Sequence, residues 1–136
     1  MKRVDKTKAL CYRDRALSFL EGMRLLALDT TALFGSAVAL LAVHTGIALA
    51  DAILIAYTGS RSKEQDHRSV LDSLRGLCGS RQTDQAGLTH LDWLIGRKTD
   101  FAYGDRRLDM DKDILMATLR AERFVAWAYR YFPEIK

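Results

Sequence analysis

Apolar residues recur every three or four positions over most of this chain, a period that predicts helices rather than strands. From about Val4 to Leu28, the residues Ala9, Tyr12, Ala16, Phe19, Leu20, Met23, Leu26 and Ala27 make one apolar face, while Arg13, Asp14, Glu21 and Arg24 fall elsewhere. Asp29, Thr30 and Thr31 then supply candidate caps for a second helix. That helix, running to about Tyr57, is apolar on nearly every side and carries two strongly polar side chains, His44 and Asp51. Gly59 is its expected C-terminal stop. A third helix is predicted over Ser62 to Cys78, with Ser62 and Gln65 at capping-box spacing and Glu64 and Asp66 in the first turn. Its apolar face, Val70, Leu71, Leu74 and Leu77, includes His67.

After a polar linker over Gly79 to Gly87, a fourth helix from about Leu88 to Tyr103 places Leu91, Leu94, Lys98 and Phe101 on one face. A break at Gly104 to Asp109 precedes a last amphipathic helix over Asp111 to Phe132, with Asp109 or Asp111 as its cap and Pro133 closing it. The linkers are short, so neighbouring helices are expected to be antiparallel. The pattern as a whole predicts an all-α fold, a compact four- to five-helix up-and-down bundle occupying residues 1–136 as one domain.

Composition agrees with this. The chain has a single proline in 136 residues, which suits long uninterrupted helices. Hydrophobic residues at 49% against 28% charged describe a folded chain with a core, not a disordered one. The run from Thr30 to Tyr57 is long enough to cross a membrane. Asp51 would be costly in lipid, and the other helices are amphipathic and need a shared partner. The favoured reading is therefore a buried central helix, with a membrane-associated helical protein as the lesser alternative. The net charge of +4 permits contact with nucleic acid without announcing it. Cys11 and Cys78 match no metal spacing, and no secretory segment follows the charged start, so a reduced cytoplasmic protein is expected. No glycine-rich phosphate loop, nucleophile elbow or metal-ligand cluster occurs, so no cofactor and no metal are expected.

The candidate chemistry gathers at the exit of the second helix. Asp51 in so apolar a segment must be paired or neutral, and His67, Arg61 and Lys98 are its candidate partners. It reads equally as the orienting partner of a basic pocket residue and as a buried contact that fixes how helices meet. His44, seven residues earlier on the same face and roughly 10 Å away along the axis, reads as a satisfied core histidine. Arg61 and His67 form a second pair: a histidine that can move a proton and an arginine that can hold a phosphate. The competing reading has Asp66 and Ser62 capping a helix, Arg61 solvated and His67 bonded to a buried partner. Lys98 on an apolar face suggests either an anion site or a snorkelling stem over the core. Arg106, Arg107, Arg120, Arg123 and Arg130 form a strip in sequence, but Asp105, Asp109, Asp111 and Glu122 interleave with them and favour a solvated face.

Three tracts, ALADAILIAYTGSRSKEQDH (Ala48 to His67), LIGRKTDFAYGD (Leu94 to Asp105) and AERFVAWA in the last helix, resemble the HEPN superfamily, specifically its small single-domain bacterial members. The resemblance implies an all-helical domain that dimerises, in a toxin–antitoxin, defence or stress setting. Its partners would be RNA or a nucleotide, or an antitoxin or other protein. Many HEPN domains resemble metal-independent ribonucleases with an arginine and a histidine a few residues apart. Arg61 and His67 have such a spacing. In those ribonucleases, however, the motif lies at the start of the late helix, a region matched here by Arg97 to Tyr103, which holds no histidine. Lys98 and Tyr103 look like the lysine and tyrosine found in that tract of small HEPN proteins. The resemblance therefore implies binding of nucleotide, RNA or protein through Asp51, Asp66, Arg97, Lys98 and Tyr103. The alternative is an RNA endonuclease using Arg61 and His67.

Overall fold

The computed structural model describes residues 2–62 and 67–136. The protein is an all-α helical bundle built of α1 (Ala9–Ala27), α2 (Gly35–Thr58), α3 (His67–Arg81), α4 (Ala86–Gly96), α5 (Lys98–Tyr103) and α6 (Met116–Tyr131). Phe19 packs against His44 and Gly22 lies beside Leu41, so numbers fall along α2 as they rise along α1 and the two helices are antiparallel. The same logic makes α4 antiparallel to α6, because Gly87 abuts Trp127 while His90 meets Arg120. α6 returns alongside α2, from Gly35 beside Ile114 to Tyr57 edge-on to Phe132.

α2 is the centre of this arrangement. From Thr45 to Ile55 every residue is buried, and all the longer helices lie against it. The apolar span Ala32–Thr58 is long enough to cross a membrane, but 83% of its most apolar window is covered by the rest of the bundle. Its alanines bring neighbours close. Ala39, Ala42, Ala50 and Ala52 have no exposed surface, and at Gly46 the methyl groups of Leu91 and Leu94 would stand 3.3 and 3.1 Å from a β-carbon. Gly59 stops the helix as expected. It adopts the left-handed conformation at φ 73°, and its amide donates to the Ile55 carbonyl at 3.0 Å.

Several boundaries differ from the sequence expectation, each for a local reason. α1 starts at Ala9 rather than near Val4, because Asp5 accepts from the Thr7 amide at 3.0 Å and caps a tight turn over Lys6–Lys8. α2 starts at Gly35, after a similar turn over Ala32–Phe34 capped by Thr31. α3 is described from His67 and runs through Gly79 to Arg81, past the expected end at Cys78. The expected cap residues Glu64, Gln65 and Asp66 lie outside the described residues, and the Ser62 hydroxyl is committed elsewhere. The expected fourth helix is divided at Arg97 into α4 and α5. The last helix is entered through a π-helical turn, Met110–Leu115, whose first amides, Asp111 and Lys112, donate to Asp109.

Two features had no counterpart in the pattern. Lys2–Arg3 pairs antiparallel with Ser60–Arg61 as a two-residue ribbon, β1 and β2, with Lys2 opposite Arg61 and the Val4 amide donating to the Gly59 carbonyl at 2.8 Å. Near the start of the last helix, Arg106 donates to both oxygens of the buried Asp113 at 2.7 and 3.0 Å and to Asp100 at 2.6 Å, tying α5 to the π-helical turn.

Candidate functional site

The chain leaving α2 turns back at Gly59 and passes the α1–α2 seam as β2. This return places Ser62 against Asp51. The Ser62 amide donates to Oδ1 at 2.9 Å, and its hydroxyl stands 2.9 and 3.1 Å from the two carboxylate oxygens. Both residues are buried. Burial is the largest influence on the Asp51 carboxyl and raises its pKa, while the Ser62 bonds and the charges of Arg61 and Arg15 act in the opposite direction. The partner of Asp51 is therefore Ser62. The candidates His67 and Lys98 do not hydrogen-bond to it, and Arg61 acts on it only through space.

Arg61, anchored by β2, turns its guanidinium to the Ser62 carbonyl at 2.8 Å, and its Nε is buried with no hydrogen-bond partner among the described residues. It is half-buried, which corrects the reading of Arg61 as a solvated side chain. Its guanidinium carbon lies 5.8 Å from the centre of the Tyr12 ring, and that of Arg15 lies 4.9 Å from the same ring. These side chains rim a pocket of about 270 Å³ between α1 and α2, lined by Tyr12, Arg15 and Phe19 from α1, by His44, Ile47, Ala48 and Asp51 from α2, and by Arg61. Helix geometry explains the convergence. His44, Ile47, Ala48 and Asp51 are spaced as one ridge of α2, and Tyr12, Arg15 and Phe19 as one ridge of α1.

His44 is half-buried and lines this pocket against Phe19, 5.9 Å between ring centres. Burial, and secondarily the charge of Lys98, holds its pKa below the ordinary histidine value. Both causes favour the neutral imidazole over the charged one. The earlier reading as a satisfied core histidine does not describe it. Lys98 Nζ lies 3.4 Å from His67 Nε2, so this lysine is half-buried against α3 rather than paired with Asp51. Arg61 thus lines the α1–α2 pocket, whereas His67 does not line it and lies beside Lys98.

The other expected residues are dispersed. Arg97 stacks on Trp93, 4.0 Å from guanidinium carbon to ring centre, on the α4 side of the molecule. Tyr103 is 86% exposed at the end of α5, away from the pocket. Asp66 lies outside the described residues. Tyr12, Arg15 and His44 are the pocket residues that sequence reasoning did not select. The signal for them was the matching ridge spacing on α1 and α2, which aligns residues on each helix but does not show that the two ridges face each other.

What this arrangement places together is two arginines over the Tyr12 ring, a carboxyl group and an imidazole lining the same pocket. Among the described residues no group of three or more His, Cys, Asp or Glu side chains is arranged to hold a metal ion. Comparison with protein-family models, with curated proteins and with solved structures gives no match to this chain.

Proposed function

We propose that the chain is a HEPN-like domain that binds a nucleotide or the phosphate-bearing end of an RNA in the α1–α2 pocket. The observation that carries this reading is the meeting of Arg15 and Arg61 at one pocket, each over the ring of Tyr12. Arginine forks suit phosphate oxygens, and a guanidinium plane backed by an aromatic ring suits a stacked base. Asp51 acts as the positioning residue: it holds Ser62, and Ser62 holds the arm on which Arg61 sits. The toxin–antitoxin, defence or stress setting, the homodimer, the antitoxin or other protein partner and the cytoplasmic location rest on the resemblance alone.

Calorimetric titration of the full chain with uridine and adenosine monophosphates tests the pocket. Saturable binding is expected, with Arg15→Ala and Arg61→Ala each weakening it about tenfold, as for loss of one charge-assisted hydrogen bond. Absence of binding to the native chain, or affinity unchanged in both variants, overturns the reading.

A metal-independent endoribonuclease is the second reading. It is favoured by a specific observation, that a neutral imidazole, His44, shares the pocket with Arg61. In this reading His44 moves the 2′-hydroxyl proton and Arg61 stabilises the phosphate. Cleavage of single-stranded RNA in the presence of chelator, lost in His44→Gln and kept in His67→Gln, is the expected signature. Cleavage lost in His67→Gln and kept in His44→Gln would return the role to the spaced pair Arg61 and His67. No cleavage by the native chain removes the enzyme reading.

A further inference from the structure

The arginines of the second half of the chain are interleaved with acids in sequence, but the fold sorts them by face. α4 and α6 each contain one carboxylate, Asp92 and Glu122. Asp92 is paired with Arg68 of α3, and Glu122 with Arg24 of α1. Both acids are thus drawn to the outer flanks of the α4–α6 pair. The surface between the helices keeps His90, Trp93, Arg97, Arg120 and Arg123.

Among the described residues, none of these three arginines is in an ion pair. Arg97 lies over the Trp93 indole at 4.0 Å, and Arg120 approaches the same ring at 5.8 Å. Arg120 also donates to His90 Nδ1 at 3.3 Å, while its Nε is buried without a partner. Arg123 is exposed, about one turn further along α6. Burial, with Arg120 and Arg123 adding to it, keeps the His90 pKa below the ordinary value. The carboxylate that reaches Arg97 electrostatically, Asp113, is already held by both nitrogens of Arg106.

Three guanidinium groups outside any ion pair among the described residues, one of them laid over an indole, make a specific offer. We propose that the α4–α6 face binds single-stranded nucleic acid, with Arg97, Arg120 and Arg123 on successive backbone phosphates and a base stacked on the Arg97–Trp93 pair. An acidic protein segment would satisfy the charges but would leave the guanidinium–indole plane unused, whereas every base has a π-face to lay on it. This face is separate from the α1–α2 pocket and does not depend on that pocket's ligand.

Intrinsic fluorescence reads the proposal directly. The chain has two tryptophans, and Trp127 is buried, so quenching by a ligand reports Trp93. Titration of the full chain with a single-stranded uridylate oligonucleotide is expected to give saturable quenching. Its affinity should fall with salt at a logarithmic slope of about −2, the value for three phosphate contacts on a single strand. Arg123→Ala, at an exposed position, should weaken binding and shrink that slope by about 0.7. Arg75→Ala, exposed on α3 and outside both sites, should leave the quenching isotherm unchanged. No saturable quenching overturns the proposal. So does equal quenching by polyglutamate, which would make the face a docking surface for acidic protein. Equal quenching by inorganic pyrophosphate would reduce it to a simple anion site and also overturn it. If Arg15→Ala alone abolishes quenching, the nucleic acid is held by the α1–α2 pocket and not by this face.

Discussion

Asp51 and Ser62 are joined by an amide and a hydroxyl that both donate to one buried carboxylate, across the turn that reverses the chain after α2. The relationship converts a polar residue in an apolar helix into an anchor for the segment that carries Arg61. Asp51→Ala leaves the Ser62 amide without its acceptor and should cost about 1–3 kcal/mol in denaturant unfolding. Asp51→Asn keeps one acceptor oxygen and should cost less. The pH dependence has a definite sign. Because the folded carboxyl has a raised pKa, its contribution to stability is fully present below the ordinary value of 3.8 and is lost as pH rises through the folded value. The stability of Asp51→Asn relative to the native chain should therefore improve between pH 4 and neutrality. A difference that is flat with pH would show that Asp51 is not the desolvated group described here.

The opposite case is Asp113. Its bonds with Arg106 hold its pKa down to about 2, against an ordinary value of 3.8. That contribution is present above the ordinary value and is lost as pH falls toward 2. Arg106→Ala leaves the Asp113 carboxylate with the Asp109 amide as its remaining donor and should lower the stability measured by denaturant unfolding near neutrality. In acid titration followed by circular dichroism, the variant should lose less stability than the native chain between pH 4 and 2. Equal acid sensitivity would be evidence against the assignment.

His44 offers a spectroscopic check on the pocket. Burial is the larger cause of its lowered pKa, and the Lys98 charge is the second. Lys98→Met should raise the His44 titration midpoint partway toward the ordinary value, measured on the imidazole carbon-bound protons by NMR. A midpoint unmoved by this change would place Lys98 further from the pocket than the structure has it.

Close packing gives a fourth outcome. A β-carbon at Gly87 would overlap the Trp127 ring, whose indole N–H donates to the Asp84 carbonyl at 3.0 Å. Gly87→Ala must either displace that ring or bend the start of α4, and should cost about 1–3 kcal/mol in thermal or denaturant unfolding. Gly76→Ala, where a β-carbon meets nothing within 4 Å, is the matched control and should be neutral or slightly stabilising.

Much of the architecture was legible because helical period and burial coincide. The face Ala16, Leu20 and Met23, the apolar α2 and its Gly59 stop are where the pattern put them. The segment between Gly59 and Ser62 was not legible, because its geometry is set by partners remote in sequence, Asp51 on one side and Lys2–Arg3 on the other. The pocket was half legible for the same reason. Asp51 and Arg61 stood out as polar residues at the end of an apolar run. His44 was visible too, but facing neighbours decide whether such a histidine is enclosed or presented, and Tyr12 and Arg15 entered only when α1 was laid antiparallel on α2. The interleaved arginines and acids of α6 show the converse. Neighbours in sequence suggested neutralisation, whereas helical geometry sent Glu122 to Arg24 and left Arg120 and Arg123 unopposed.

The two-residue ribbon between Lys2–Arg3 and Ser60–Arg61 closes a loop that contains the whole α1–α2 hairpin. Such a closure gains only two residue pairs across a long loop, and its β1 side is exposed to water. Ser62 is held to the buried Asp51, so β1 is the less protected side of this ribbon. In hydrogen exchange its amides should open by small local fluctuations while the α2 amides wait for global unfolding. The cationic wall of the pocket thus rests on a buried anchor at one end and on a strand open to water at the other.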